Sequence, residues 1–116
     1  MKENVIQTKS FAFALRIVDL HLFLSKKLRQ FELSSQILKS GTSIGANVEE
    51  ALGAVSKKDF INKLGTSYKE ARETKYWIRL LRDSNLIDSN LAQSLLADCE
   101  ALLKILYAII SSAKPA

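Results

Sequence analysis

Apolar residues recur along most of the chain at spacings of three, four and seven, which is the pattern of helices with one buried face. The sharpest instance runs from Ser34 to Leu52, SSQILKSGTSIGANVEEAL, where Ile37, Ile44, Val48 and Val55 fall on one side of a helix. Gly41 and Gly45 occupy the adjacent face. Each glycine costs roughly 1 kcal/mol relative to alanine inside a helix, so two of them four apart predict that another helix comes close at this seam. A leucine at either position is expected to overpack it by about 1–3 kcal/mol.

The same pattern predicts three more helices. The first covers about residues 8–29 and carries two apolar stripes. One is Phe11, Leu15, Val18, Leu22 and Ser25; the other is Phe13, Ile17, Leu20, Leu24 and Phe31. One stripe suffices for packing in two layers, so the second asks for a further helix from the bundle or from another subunit. The polar group Arg29 to Glu32 is the expected connection to the glycine-containing helix, about 34–54. A third helix, 57–83, has Ser56 as its N-cap with Asp59 three residues on, and buries Phe60, Leu64, Ser67, Ala71, Thr74, Ile78 and Leu81. Asp83-Ser84-Asn85 is turn-forming, and Asp88 or Ser89 caps a fourth helix, 89–112, whose apolar arc covers close to half its circumference. The fold class is therefore all-α, a single domain over 1–116 folded as an antiparallel up-down-up-down four-helix bundle. Surplus apolar surface on helices one and four points to self-association.

Composition narrows the chemistry. A chain of 116 residues with four glycines and one proline, at position 115, leaves little turn material for a sheet. His21 is the only histidine and Cys99 the only cysteine, so no His/Cys metal set forms within one chain and no intrachain disulfide exists. No metal or cofactor is expected, His21 and Cys99 read as packed side chains, and a catalytic role has nothing to stand on. The run FAFALRIVDLHLFL is broken by Arg16, Asp19 and His21 well short of the roughly 20 apolar residues a membrane span needs. A cytoplasmic protein with no membrane role is expected. The Gly41–Gly45 segment lacks a Gly-Lys-Ser/Thr ending and a preceding strand, which sets it apart from a phosphate-binding loop.

The formal charge of +5 and pI near 9.4 permit an acidic partner. That charge is concentrated: residues 56–83 hold eight basic and four acidic side chains. On helix three Arg72, Lys75, Arg79 and Arg82 recur at spacings of three and four, with Tyr68 and Tyr76 close by. Like charges so placed repel by roughly 0.2–0.5 kcal/mol per pair. Two readings stay open. Either acidic residues neutralise the stripe, with Glu49, Glu50, Glu70 and Glu73 as candidates, or it is a phosphate-binding surface with interleaved aromatics that follows an RNA or DNA backbone. Trp77, flanked by Glu70 and Glu73, reads as a packing anchor, and Asn47 as a buried hydrogen-bonding or subunit-contact residue.

The segment Ser-Ile-Gly-Ala-Asn-x-Glu-Glu at Ser43 to Glu50, followed by Glu-x-x-Tyr-Trp-x-x-Leu-Leu at Glu73 to Leu81 and the leucine-rich CEALLKILYAII, carries a resemblance. Over about residues 8–112 the chain resembles the small bacterial four-helix bundle proteins first noticed as open reading frames in intervening sequences of 23S ribosomal RNA genes. Where many relatives have Glu-Gly, this chain has Glu50-Ala51. Gly41, Ser43, Gly45, Asn47, Glu50, Glu73 and Trp77 are the motif and packing positions. The resemblance implies a ring-shaped homopentamer without established enzymatic activity. The similar accessory proteins of diversity-generating retroelements are pentameric and associated with nucleic acid and a reverse transcriptase. The function expected is a non-enzymatic homo-oligomeric bundle that binds RNA or DNA through Arg72, Lys75, Arg79 and Arg82; the alternative is a protein-interaction scaffold whose charges pair internally.

Overall fold

The computed structural model describes residues 4–114. Helix α1 (Val5–Leu22) runs into a π-helical turn (Phe23–Lys27), and α2 (Phe31–Leu52), α3 (Lys57–Asp83) and α4 (Ser89–Ala113) follow. The body measures 46 × 26 × 21 Å. The 27 residues of α3 span about 40 Å at 1.5 Å per residue, so the helices lie along the long axis. Consecutive helices pack on one another, and α1 meets α4 to close the bundle. This is an all-α four-helix fold, and the connections at 28–30, 53–56 and 84–88 are short enough for an up-down-up-down path.

Local chemistry explains the helix ends. The Asn4 side chain accepts from the Gln7 amide at 3.0 Å and starts α1 at Val5, three residues before the expected position near 8. At its other end Arg29 adopts φ 55°, and the Gln30 amide reaches back to the Leu24 carbonyl at 2.8 Å, a left-handed stop of the kind that closes helices. Only 28–30 therefore remain as connection. Phe31 and Glu32, expected in the link, lie in the first turn of α2, where a carboxylate complements the helix dipole. Helix α2 ends at Leu52 against Gly53, so Val55 leaves the Ile37–Ile44–Val48 stripe and is 96% exposed. Ser56 and Asp88 cap α3 and α4 as the sequence suggests, accepting from Asp59 N at 3.0 Å and Leu91 N at 2.7 Å.

The core runs the length of the bundle: Phe13, Ile17 and Leu24 from α1 and its π turn, Ile37, Ile44 and Val48 from α2, Leu64, Ile78 and Leu81 from α3, Leu95, Leu102 and Leu106 from α4. Burying one such side chain contributes about 1.5–3 kcal/mol. Buried hydroxyls join α2 to α3. Ser67 Oγ donates to the Ile44 carbonyl at 2.8 Å, and Thr74 Oγ1 lies 2.9 Å from Ser40 Oγ.

The glycines hold α1 close to α2. A Cβ built at Gly41 would stand 2.7 Å from both Cγ atoms of Ile17, and one at Gly45 would stand 3.4 Å from the Ser10 carbonyl oxygen and hydroxyl.

Of the two stripes on helix one, Phe13, Ile17, Leu20 and Leu24 face inward. Phe31, grouped with them by spacing, belongs to α2 and is exposed. The stripe Phe11, Leu15, Val18 and Leu22 points away from the core, with Phe11 63% and Leu15 55% exposed. The surplus expected on helix four is mostly absent. Leu91, Leu96, Ile105, Ile109 and Ile110 pack against the core, and Tyr107 is the large apolar side chain of α4 left exposed.

Candidate functional site

The basic stripe of α3 lies on the flank facing α4, and its four cations are not equivalent. Lys75 Nζ contacts Glu100 Oε1 of α4 at 2.5 Å. Arg82 makes a two-pronged pair with its neighbour Asp83 at 2.8 and 3.1 Å. Among the described residues no carboxylate lies within 4.0 Å of Arg72 or Arg79, and both are exposed.

The neutralising carboxylates are thus Glu100 and Asp83 rather than the four candidates named from sequence. Glu49 accepts from Gln7 Nε2 at 3.0 Å, and Glu50 pairs with Lys63 at 3.4 Å. The pKa of Glu70 is raised, first by burial and then by Glu73, with Lys39 opposing. Glu73 is exposed. Glu70 and Glu73 lie on other flanks of α3, because at 100° per residue they cannot share a face with Arg72 and Lys75, and Glu49 and Glu50 belong to α2.

The contribution of α4 is the part that spacing on α3 could not reveal. The Lys75 hydrogen bond holds Glu100 below the usual carboxylate range, and the charges of Lys104 and Arg72 act the same way. Next to them the Tyr68 and Tyr107 rings pair across the two helices, centroids 6.4 Å apart and tilted by 47°. Tyr68 leans on the core, whereas Tyr107 is 64% exposed. The result is a surface of two arginines, one further lysine and an outstanding aromatic ring. It suits an anionic, ring-bearing partner.

The remaining motif residues have local structural work. Asn47 Nδ2 donates to the Ser43 carbonyl at 2.8 Å, and Ser43 Oγ to the Lys39 carbonyl at 2.6 Å; Asn47 thus bonds within its own helix. Trp77 packs partly buried against the core with its ring edge-on to Tyr76 at 5.1 Å. Its indole N–H is shielded and has no acceptor among the described residues. His21 Nδ1 lies 3.1 Å from the Ser34 carbonyl and carries the proton on that nitrogen, since a carbonyl only accepts. Cys99 is fully buried; its thiol donates to the Ala71 carbonyl at 3.2 Å and is pushed up to about 12, mainly by burial. Among the described residues no group of three or more His, Cys, Asp or Glu side chains is placed to hold a metal. Among the described residues no helix is long and apolar enough to cross a membrane.

Fold and surface together define a small all-α bundle protein with a basic, aromatic flank and an uncovered apolar helix face. The chain belongs to the family described as 23S rRNA-intervening sequence protein, whose sequence profile matches residues 2–108. A crystal structure of a protein of unknown function from the S23 ribosomal protein family of Bacteroides thetaiotaomicron VPI-5482 is 48% identical, with a TM-score of 0.92 over 96% of this chain and 99% of that one. No curated protein matches the chain.

Proposed function

We propose that the chain is a self-associating helical-bundle protein that binds nucleic acid on the α3/α4 flank. One observation carries the binding reading: Arg72 and Arg79 stand exposed with no carboxylate within 4.0 Å among the described residues, while the cations between and beyond them each contact one. Like charges on one helix face without contacting partners repel and oppose folding. A polyanion removes that repulsion, and each phosphate contact releases counterions. Binding of single-stranded or duplex oligonucleotides is expected at low salt, with log Kd against log salt falling in slope by close to one for each arginine removed. No binding at low salt, or unchanged binding by the Arg72→Ala/Arg79→Ala double variant, refutes the reading.

Self-association rests on a different observation, the outward stripe Phe11, Leu15, Val18 and Leu22. A second copy is its proposed occupant, and five copies is the ring number that the family resemblance implies. Light scattering is expected to give several times 13.0 kDa, and Leu15→Glu to reduce the mass. A monomeric parent refutes this part. The Lys75–Glu100 and Arg82–Asp83 pairs favour the alternative of a protein-interaction scaffold. In that case Lys75→Ala, which removes the partner of Glu100, lowers the stability of the assembly, and no oligonucleotide binds.

A further inference from the structure

We infer that the Tyr68–Tyr107 pair is a stacking shelf for unpaired bases, so that the partner on the α3/α4 flank is single-stranded nucleic acid. This rests on the proposed nucleic-acid reading and specifies its substrate. An exposed aromatic alone means little. Three further features set this one apart.

The first is support. Tyr107 is 64% exposed, so folding does not use most of its ring, yet Tyr68 braces it at a centroid distance of 6.4 Å. A ring with a neighbouring ring to rest on offers its exposed area with less entropy loss than a loose side chain.

The second is the arrangement of charge. Arg72 follows Tyr68 by one helical turn on α3, and Lys104 precedes Tyr107 by one turn on α4; both stand close enough to Glu100 to act on its charge. Lys75 is engaged by Glu100. Because α3 and α4 run antiparallel, both cations lie on one side of the aromatic pair, toward Glu100, and a strand that stacks a base on the ring can lay its adjoining phosphates on them, the combination that binds single strands irrespective of base sequence.

The third is Gly65. It lies inside α3, where glycine is disfavoured, and a Cβ built on it would meet nothing within 4 Å. Unlike Gly41, it makes room for no part of this chain. On the helix surface it neighbours Tyr68 and Lys69, three and four positions on, so a ligand passing over Tyr68 meets bare backbone there.

A duplex keeps its base faces stacked inside and would leave Tyr107 without a partner. A single strand offers a base to the ring and phosphates to Arg72 and Lys104.

The test is fluorescence anisotropy with labelled single strands of about 12 nucleotides, oligo(dT) and oligo(U), against a duplex of equal length. The full-length parent, Tyr107→Ala, Tyr107→Phe and Arg72→Ala are compared at several salt concentrations. Single strands of either sugar are expected to bind more tightly than the duplex. Tyr107→Ala is expected to lose on the order of tenfold for the single strands with its salt slope unchanged, and Tyr107→Phe to bind like the parent. Arg72→Ala is expected to flatten the salt slope. Equal affinity for duplex and single strand, or unchanged binding by Tyr107→Ala while Arg72→Ala weakens it, overturns the shelf and leaves the nucleic-acid reading intact. Absence of binding to every oligonucleotide overturns both. A change in assembly mass on Tyr107→Ala makes Tyr107 a subunit contact and also overturns the shelf.

Discussion

Three glycines on two helices give an internally controlled test of the packing. At Gly41 an added Cβ would stand 2.7 Å from Ile17 Cγ1 and Cγ2. Those atoms belong to a β-branched side chain that is wholly buried and stiff about its first torsion, so it cannot swing aside. Gly41→Ala gains about 1 kcal/mol of helix propensity and loses about 1–3 kcal/mol to overpacking; a net loss of about 1 kcal/mol is expected. At Gly45 the nearest atoms are at 3.4 Å, ordinary contact, and Gly45→Ala should fall between neutral and about 1 kcal/mol stabilising. At Gly65 nothing opposes the new methyl, so Gly65→Ala should realise the full gain of about 1 kcal/mol.

The decisive variant is Ile17→Ala. It costs about 2–5 kcal/mol by itself, but it removes the two atoms at 2.7 Å and leaves only Cβ at 3.2 Å, so Gly41→Ala added to it should cost little or become stabilising. The coupling between the two sites should be about 1–3 kcal/mol, the size of the relieved overpacking. Urea denaturation read as a shift in midpoint at unchanged m-value measures each corner of the cycle. Protein concentration is held fixed, because assembly is linked to stability. If Gly41→Ala stabilises as much as Gly65→Ala, or costs the same with and without Ile17, the account of the α1/α2 seam is wrong.

Other perturbations reach the remaining features. Glu100→Gln removes the carboxylate that engages Lys75; oligonucleotide binding should tighten and its salt slope steepen by about 0.7–0.9, and an unchanged slope would show that Lys75 does not reach phosphate. The Cys99 thiol, pushed up to about 12, stays protonated at pH 8, so the native protein should resist alkylation that proceeds quickly in denaturant; rapid stoichiometric labelling of the native protein would contradict its burial. Asn85 sits at φ 63°, which asparagine and glycine tolerate and other residues resist. Asn85→Ala should therefore cost about 1 kcal/mol and Asn85→Gly little, as read by thermal melting; equal effects would count against backbone strain at this turn.

Much of the fold was legible because burial in a bundle imposes its period directly on the sequence. The stripe from Phe60 to Leu81 on α3 follows from that rule, and the caps at Ser56 and Asp88 follow from side chains that accept from helix-start amides. The ends of α1 and the start of α2 did not follow, and each miss has a physical source. Arg29 occupies a left-handed position usually signalled by glycine, and α2 begins after Gln30, which makes no side-chain cap. The candidate site was legible on one helix only. Spacing aligned Arg72, Lys75, Arg79 and Arg82, but the distinction between engaged and unengaged cations depends on Glu100 and Asp83. Lys104 and Tyr107 enter through a helix that the basic pattern does not touch. Their one advance signal was their place on the polar side of the fourth helix, where period alone cannot say which neighbour they meet.

The two apolar stripes of α1 show the same limit from the other direction. Period alone gives Phe11–Leu15–Val18–Leu22 and Phe13–Ile17–Leu20–Leu24 equal standing, and only the position of α2 ranks them. Gly41 decides the ranking, since Ile17 can sink against α2 where no Cβ intervenes. Once Ile17 is fixed, the helix period places Leu15 and Leu22 on the far side. A chain that folded alone would gain solubility by making that far side polar, because a contiguous apolar patch left in water invites association. Retention of four apolar residues there is understandable if a second chain covers them. On that reasoning one glycine fixes both the inner seam of the bundle and the direction in which its outer face looks for a partner.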